Sequence, residues 1–323
     1  MARWISCLLI GLTALFSCSK KEKEVQLPLG VWEKATDFPG ASPFLSVAFV
    51  INDIAYVGTG QPWAKDFYAY HPSTNQWTKI ADLPHRRSEA IAFSLLGKGY
   101  VLTGRDSLGI LKDFWEYDPI KNTWTQLPDF PGLGRYNASA LTLGNKAYLG
   151  TGWTDLAGPT VQKQLSDWWE YDALSRTWTK KADFPGGPCS FAAGIGLGAK
   201  AYLGLAGPGP DPGRQWWEYD PTLDKWKQLA DCPGTTRYGA GIFAIKDKIY
   251  AGGGIKGLGS DPRYYIYDWW EYDRLKDRWR AIADQPQLRG IGINFSIADV
   301  GYWGLGFDDA NGIVRDIWRF KLE

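Results

Sequence analysis

From residue 31 onward the chain is written in short apolar and aromatic runs, each broken by Gly, Pro, Asp or Asn. Runs of this kind, β-branched or aromatic and bounded by turn formers, predict β-strands. The pattern then repeats. Trp32, Trp77, Trp124, Trp178, Trp226 and Trp279 open six units spaced 45, 47, 54, 48 and 53 residues apart. Five residues after each Trp stands an Asp (Asp37, Asp82, Asp129, Asp183, Asp231, Asp284), and seven after it a Pro (Pro39, Pro84, Pro131, Pro185, Pro233, Pro286). Each unit also has a Tyr opening a Gly-rich strand end: Tyr56, Tyr100, Tyr148, Tyr202, Tyr250 and Tyr302. An aromatic run follows: FYAYH (67–71), FWEYD (114–118), WWEYD (168–172, 216–220 and 269–273) and IWRFK (317–321). In five units it reaches the next Trp with a constant spacing of nine residues, as from Trp115 to Trp124.

Each unit thus supplies four strands. In the third they are a small-residue strand a (137–143), a Tyr-Gly strand b (146–152), an aromatic strand c (167–172) and a Trp strand d (177–181). Four-stranded units at this period predict the blades of a β-propeller around a central channel. Side-chain size supports this independently. Strand a is rich in Ala, Gly and Ser (NASALTL, FAAGIGL, YGAGIFA), while c and d carry Trp, Tyr and Phe. Radial sheets crowd at the axis and spread at the rim, and close-packed interiors tolerate few voids. Small residues therefore belong inside and indoles outside. The chain enters on a d strand at Trp32 and leaves after a c strand at Phe320, so residues 31–35 should complete the blade formed by 291–320. The predicted fold is all-β: six four-stranded antiparallel blades, closed by the N-terminal strand so that no seam is left open.

These residues resemble the kelch repeats. The Tyr-x-Gly-x-Gly run, the aromatic-x-Tyr-Asp strand and the Trp-Thr strand, as in YLGTG, WWEYD and TWTKKADFP, look like kelch motifs over residues 31–322. The double glycine of that family stands in full only at Gly252-Gly253-Gly254; elsewhere Thr, Leu or Ala intrudes.

In a meander of this order the b–c loops and d–a connections share one face, and the a–b and c–d turns the other. The second set is short (LGNK, IKDK, DPIKN), whereas the b–c loops vary from QPWAK (61–65) to WTDLAGPTVQKQLS (153–166). Function on a rigid scaffold concentrates in such variable loops, so the b–c/d–a face is the expected binding face. Four arginines stand just before strand a: Arg87, Arg135, Arg237 and Arg289; the other two units have Pro43-Phe44 and Pro188-Cys189 there. The kelch resemblance implies an arginine-rimmed pocket that would grip a carboxylate or sugar hydroxyls. Blade-to-blade ion pairing is an equal alternative. Trp63, Trp153, Tyr264 and Tyr265 lie off the repeat pattern on this face, with Tyr136 and Tyr238 beside the arginines. Flat rings beside hydrogen-bonding groups suit sugars, although such residues can also simply cover blade ends. Asp308-Asp309-Ala310-Asn311-Gly312 lacks a spaced calcium ligand set and reads as a turn.

The N-terminus reads differently. Arg3 precedes an apolar run from Ile5 to Phe16, then Ser17 and Cys18. That is the layout of a secretory signal, and Leu15-Phe16-Ser17-Cys18 resembles a bacterial lipobox. The expectation is a signal peptide over 1–17, a lipidated Cys18 and a charged tether over 18–30, placing the protein in a bacterial cell envelope with a lipid as its membrane attachment. Cys189 and Cys232 remain, and free thiols are expected of them.

Charge narrows the function. With 36 Lys+Arg against 35 Asp+Glu the net charge is +1, which argues against nucleic-acid binding. Only 2 His are present, His71 in a c–d turn and His85 in a d–a connection, so no copper-oxidase site of the galactose oxidase kind can assemble and no metal or other cofactor is expected. HExxH, G-x-S-x-G and P-loop signatures are missing. The expected function is a monomeric binding module for a carbohydrate or an envelope protein. One alternative is a sugar mutarotase resembling kelch N-acetylneuraminate epimerases, with Glu89 as the acid/base candidate; another is a structural subunit of a surface complex.

Overall fold

A computed structural model describes residues 29–155, 162–207, 212–256, 265–308 and 312–323. The signal segment, most of the tether, Cys18, Tyr264 and residues 309–311 lie outside these ranges. The described chain forms six four-stranded antiparallel sheets. Blade 1 is Val47–Ile51, Ile54–Gly58, Phe67–His71 and Gln76–Lys79. Blade 2 is Ile91–Leu95, Lys98–Leu102, Phe114–Asp118 and Thr123–Leu127. Blade 3 is Ser139–Leu143, Lys146–Gly150, Trp168–Asp172 and Thr177–Lys181. Blade 4 follows with Ala193–Leu197, Lys200–Gly204, Trp216–Asp220 and Lys225–Gln228. Blade 5 has Gly241–Ile245, Lys248–Gly252, Trp269–Asp273 and Arg278–Ala281. Blade 6 takes Ile293–Ile297, Val300–Gly304 and Ile317–Lys321 from the C-terminus and its outer strand, Val31–Lys34, from the N-terminus.

That last pairing closes the ring as the repeat count requires. Val31 to Lys34 run antiparallel to Lys321 to Trp318, and the Trp32 indole N–H donates to the Ala283 carbonyl of blade 5 at 3.0 Å. The size gradient holds too. Ala48, Ala92, Ala140, Gly194, Ile242 and Asn294 line an axial cavity of about 200 Å³, while Trp168, Trp216, Trp269 and Trp303 are fully buried farther out, between blades. Cys189 and Cys232 are free and buried. Among the described residues no helix is long and apolar enough to cross a membrane.

The glycine departures have a backbone answer. The residue after each b strand has a left-handed φ in all six blades: Thr59, Thr103, Thr151, Leu205, Gly253 and Leu305, between 51° and 62°. Five blades keep the strained conformation without the residue that adopts it freely, so the surroundings must enforce it.

Candidate functional site

Strand a of blade 3 begins at Ser139, two residues later than its sequence suggests, because Asn137 has left the strand for a φ of 51°. All six blades do this at the same place: Leu45, Glu89, Asn137, Phe191, Gly239 and Ile291 have φ between 51° and 60°. In five of them the kink turns the backbone N–H sideways toward the preceding blade. Glu89 donates to the Leu45 carbonyl (3.2 Å), Asn137 to Glu89 (3.1 Å), Phe191 to Asn137 (2.9 Å), Gly239 to Phe191 (3.1 Å) and Ile291 to Gly239 (3.0 Å). This belt runs from blade 1 to blade 6 around the axis, where the d–a connections enter.

Above the belt an isolated bridge joins the d–a connection of each blade to its own b–c loop: Phe44 with Gln61, Ser88 with Arg105, Tyr136 with Trp153, Ser190 with Gly207, Tyr238 with Ile255 and Gly290 with Phe307. Belt and bridges together form the mouth of the channel on the b–c/d–a face. Much of it is aromatic. Phe44 packs on Phe307 (6.2 Å between ring centres), Phe307 on Tyr265 (6.3 Å) and Phe191 on Tyr238 (5.9 Å).

A polar sector sits at blades 2 and 3. Arg105 donates from Nε to Glu89 Oε1 at 2.7 Å, and Asn137 donates from Nδ2 to Glu89 Oε2 at 2.9 Å. The Arg105 guanidinium lies 4.7 Å over the Tyr136 ring, and its side chain is 39% exposed. Its Nη1 has no hydrogen-bond acceptor among the described residues. Burial pushes the Glu89 carboxyl above its usual range, and the bonds from Arg105 and Asn137 only partly oppose this. The sector therefore offers hydrogen-bond donors beside aromatic faces, and a carboxyl that holds a proton more tightly than a surface glutamate.

The four arginines that precede strand a lie beneath the mouth, with side chains 0% exposed. Each reaches the carbonyl bared by the left-handed kink after strand b and the carboxylate that opens strand c of its own blade. Arg135 donates to the Thr151 carbonyl at 3.1 Å and to both oxygens of Asp167 at 2.7 Å. Arg87 does the same with Thr103 and Asp113, Arg289 with Leu305 and Asp316, and Arg237 Nη1 lies 2.5 Å from Asp268. These pairs run within blades, not between them. Blade 4 dispenses with both charges: Cys189 replaces the arginine and Gln215 the aspartate.

The structure thus gathers Glu89, Tyr136, Tyr238 and Trp153 at the mouth and gives Arg87, Arg135, Arg237 and Arg289 a stapling position below it. Trp63 stands in the b–c loop of blade 1, 36% exposed, beyond the bridge made by Gln61. Arg105, Asn137, Phe191 and Phe307 were not visible as candidates. Their signal is columnar: Arg105 and Phe307 occupy the position after the strand-b glycine, and Asn137 and Phe191 the position two beyond Arg or Cys.

The kelch motif model matches residues 97–131, spanning strands b to d of blade 2. Among solved structures the fold is similar to that of YjhT, with a TM-score of 0.73 at 19% identity, covering 88% of this chain and 95% of that one. No curated protein matches the chain in sequence.

Proposed function

We propose, taking the chain as a six-bladed kelch-type propeller, that its axial mouth on the b–c/d–a face binds a carbohydrate. One observation carries this reading. Among the described residues aromatic side chains flank a donor sector, Arg105 with Asn137 beside Glu89, in which Arg105 Nη1 has no acceptor. Pyranose C–H faces pack on rings, while hydroxyls or a carboxylate take up directional donors. The buried arginines serve by holding strand ends b and c, and so the bridges, in place. Export and lipid attachment at Cys18 are part of the same proposal, supported by the N-terminal segment. The test is calorimetric titration with a panel of neutral and acidic monosaccharides. Saturable binding that weakens about tenfold or more in Arg105→Ala supports the reading, since a charge-assisted bond contributes about 1.5–3 kcal/mol. Binding that ignores the substitution rejects it.

The raised proton affinity of Glu89 favours a second reading, sugar mutarotation, in which a proton is exchanged at the ring oxygen or anomeric hydroxyl. Anomer exchange followed by NMR on freshly dissolved α-sialic acid separates the two. A rate enhancement lost in Glu89→Gln with binding retained marks an enzyme; no enhancement leaves a binder.

A further inference from the structure

Around the rim the blades are joined by a repeated bond. The outer-strand indole N–H donates to a carbonyl four residues beyond the preceding blade's Trp: Trp77 to Thr36 (3.2 Å), Trp124 to Ala81 (3.0 Å), Trp226 to Ala182 (2.9 Å) and Trp279 to Ala230 (2.8 Å). The N–H of that same residue donates back to an Asn or Asp two positions before the Trp: Thr36 to Asn75, Ala81 to Asn122, Ala182 to Asp224 and Ala230 to Asp277. A strand-c tyrosine completes each set, with Tyr70, Tyr117, Tyr219 and Tyr272 donating to that acceptor at 2.6–2.8 Å. In blade 6 the acceptor position is Gly30 and the tyrosine position Phe320, and the Leu29 carbonyl accepts from Ala283 instead.

The junction of blades 2 and 3 breaks the set at every point. The returning N–H is absent because the residue is Pro128, and the acceptor is replaced by Arg176. Among the described residues Trp178 Nε1 is buried with no partner, and the Tyr171 hydroxyl has no Asn or Asp acceptor to donate to. Arg176 keeps the left-handed backbone (φ 56°) that asparagine and aspartate tolerate best. Its nearest acid, Glu116, stands 3.6 Å away, and its side chain is 61% exposed. A cavity of about 310 Å³ opens there, walled by Phe114, Pro128, Tyr171, Arg176 and Trp178.

We propose that this rim cavity is a second ligand site, for a small organic carboxylate that carries an apolar face. The Arg176 guanidinium can only donate, so this wall calls for an acceptor, and charge-assisted pairing makes a carboxylate the best one. The rings and Pro128 supply the apolar wall, and the volume lies at the lower end of ordinary ligand pockets. Asp129 also lines the cavity, but it is exposed and makes no ion pair among the described residues, so water screens it.

The chemistry fits an aromatic carboxylate or a sugar acid, and the experiment distinguishes them. Indole ¹⁵N–¹H spectra of the protein are recorded against benzoate, glucuronate and the neutral analogues benzamide and glucose. The Trp178 resonance, assigned through Trp178→Phe, should shift saturably with one of the acids. Arg176→Ala should weaken that binding about tenfold or more, and the neutral analogue should bind worse by a similar factor. The pair Pro128→Ala with Arg176→Asn, which restores the sequence of the other junctions, should abolish the shift while raising the melting temperature. Arg105→Ala at the mouth should leave it unchanged. No saturable shift with either acid at 10 mM, or an equal response to the neutral analogues, overturns the proposal. So does a shift that survives Arg176→Ala or the repaired pair.

Discussion

Replacing Arg135 by Ala tests whether the buried arginines staple the blade or serve a ligand. The side chain is fully buried, with Nε on the Leu133 carbonyl, Nη1 on the Thr151 carbonyl and both terminal nitrogens on Asp167. Removing it strands a carboxylate that is only 18% exposed, together with two carbonyls. Breaking a buried pair from one side costs about 3–5 kcal/mol, because the surviving charge is left uncompensated. At about 2–4 °C per kcal/mol the melting temperature should fall by on the order of 10 °C. Blade 4 supplies the control, since it folds with Cys189 and Gln215 at these positions. Arg135→Ala and Asp167→Gln should each cost that much, while Arg135→Cys with Asp167→Gln should cost less than about 2 kcal/mol. Urea unfolding of the wild type, Arg135→Cys, Asp167→Gln and the double variant closes the cycle. A loss below about 1 kcal/mol in Arg135→Ala, or strict additivity, would refute the staple. Weakened sugar binding at unchanged stability would return the arginine to the mouth.

Four further outcomes follow from the same geometry. Asp113, Asp167 and Asp316 are each pushed up by burial but held below the usual carboxylate range by Arg87, Arg135 and Arg289. Their contribution is therefore complete above the unfolded value of about 3.9 and vanishes as pH falls through the folded values, so stability should drop steeply below about pH 4. Unfolding free energies measured between pH 7 and 2.5 check this; a flat profile contradicts it. Burial pushes the Cys189 and Cys232 thiols up to about 12, so neither should react with a thiol reagent at pH 8 until urea unfolds the ring, as peptide mass spectrometry would show. Trp32→Ala should cost about 3 kcal/mol, because that ring packs on Trp269, Phe243 and Phe320 across the closure. Removing residues 29–35 should expose the edge of strand Ile317–Lys321 and end cooperative melting.

The architecture was legible because it is written six times. Trp spacing, the Asp-Pro offsets and the small residues of strand a each carry geometric information, and the entry on a d strand located the closure. The mouth was legible only in part. Tyr136, Trp153 and Tyr238 stood out as aromatics near the loop face, but the role of their arginine neighbours depends on partners 26–32 residues away that fold back beside them. That pairing left a partial trace: DFWEYD, DWWEYD and DIWRF begin with Asp in blades that have the arginine, and blade 4 loses Arg and Asp together, but blade 1 keeps Asp66 with Pro43 in the arginine's place. The belt of left-handed residues left none. Leu45, Phe191 and Ile291 are poor choices for that conformation, so only the assembled ring, with its chain of backbone bonds, explains why the strands stop where they do.

Saturation-transfer NMR on the intact protein addresses the mouth most directly. With monosaccharides in excess, saturation should reach the C–H protons of one pyranose face in the wild-type protein and be lost in Arg105→Ala. Transfer that is absent for every sugar, or equal in the variant, would contradict a carbohydrate site at the axis.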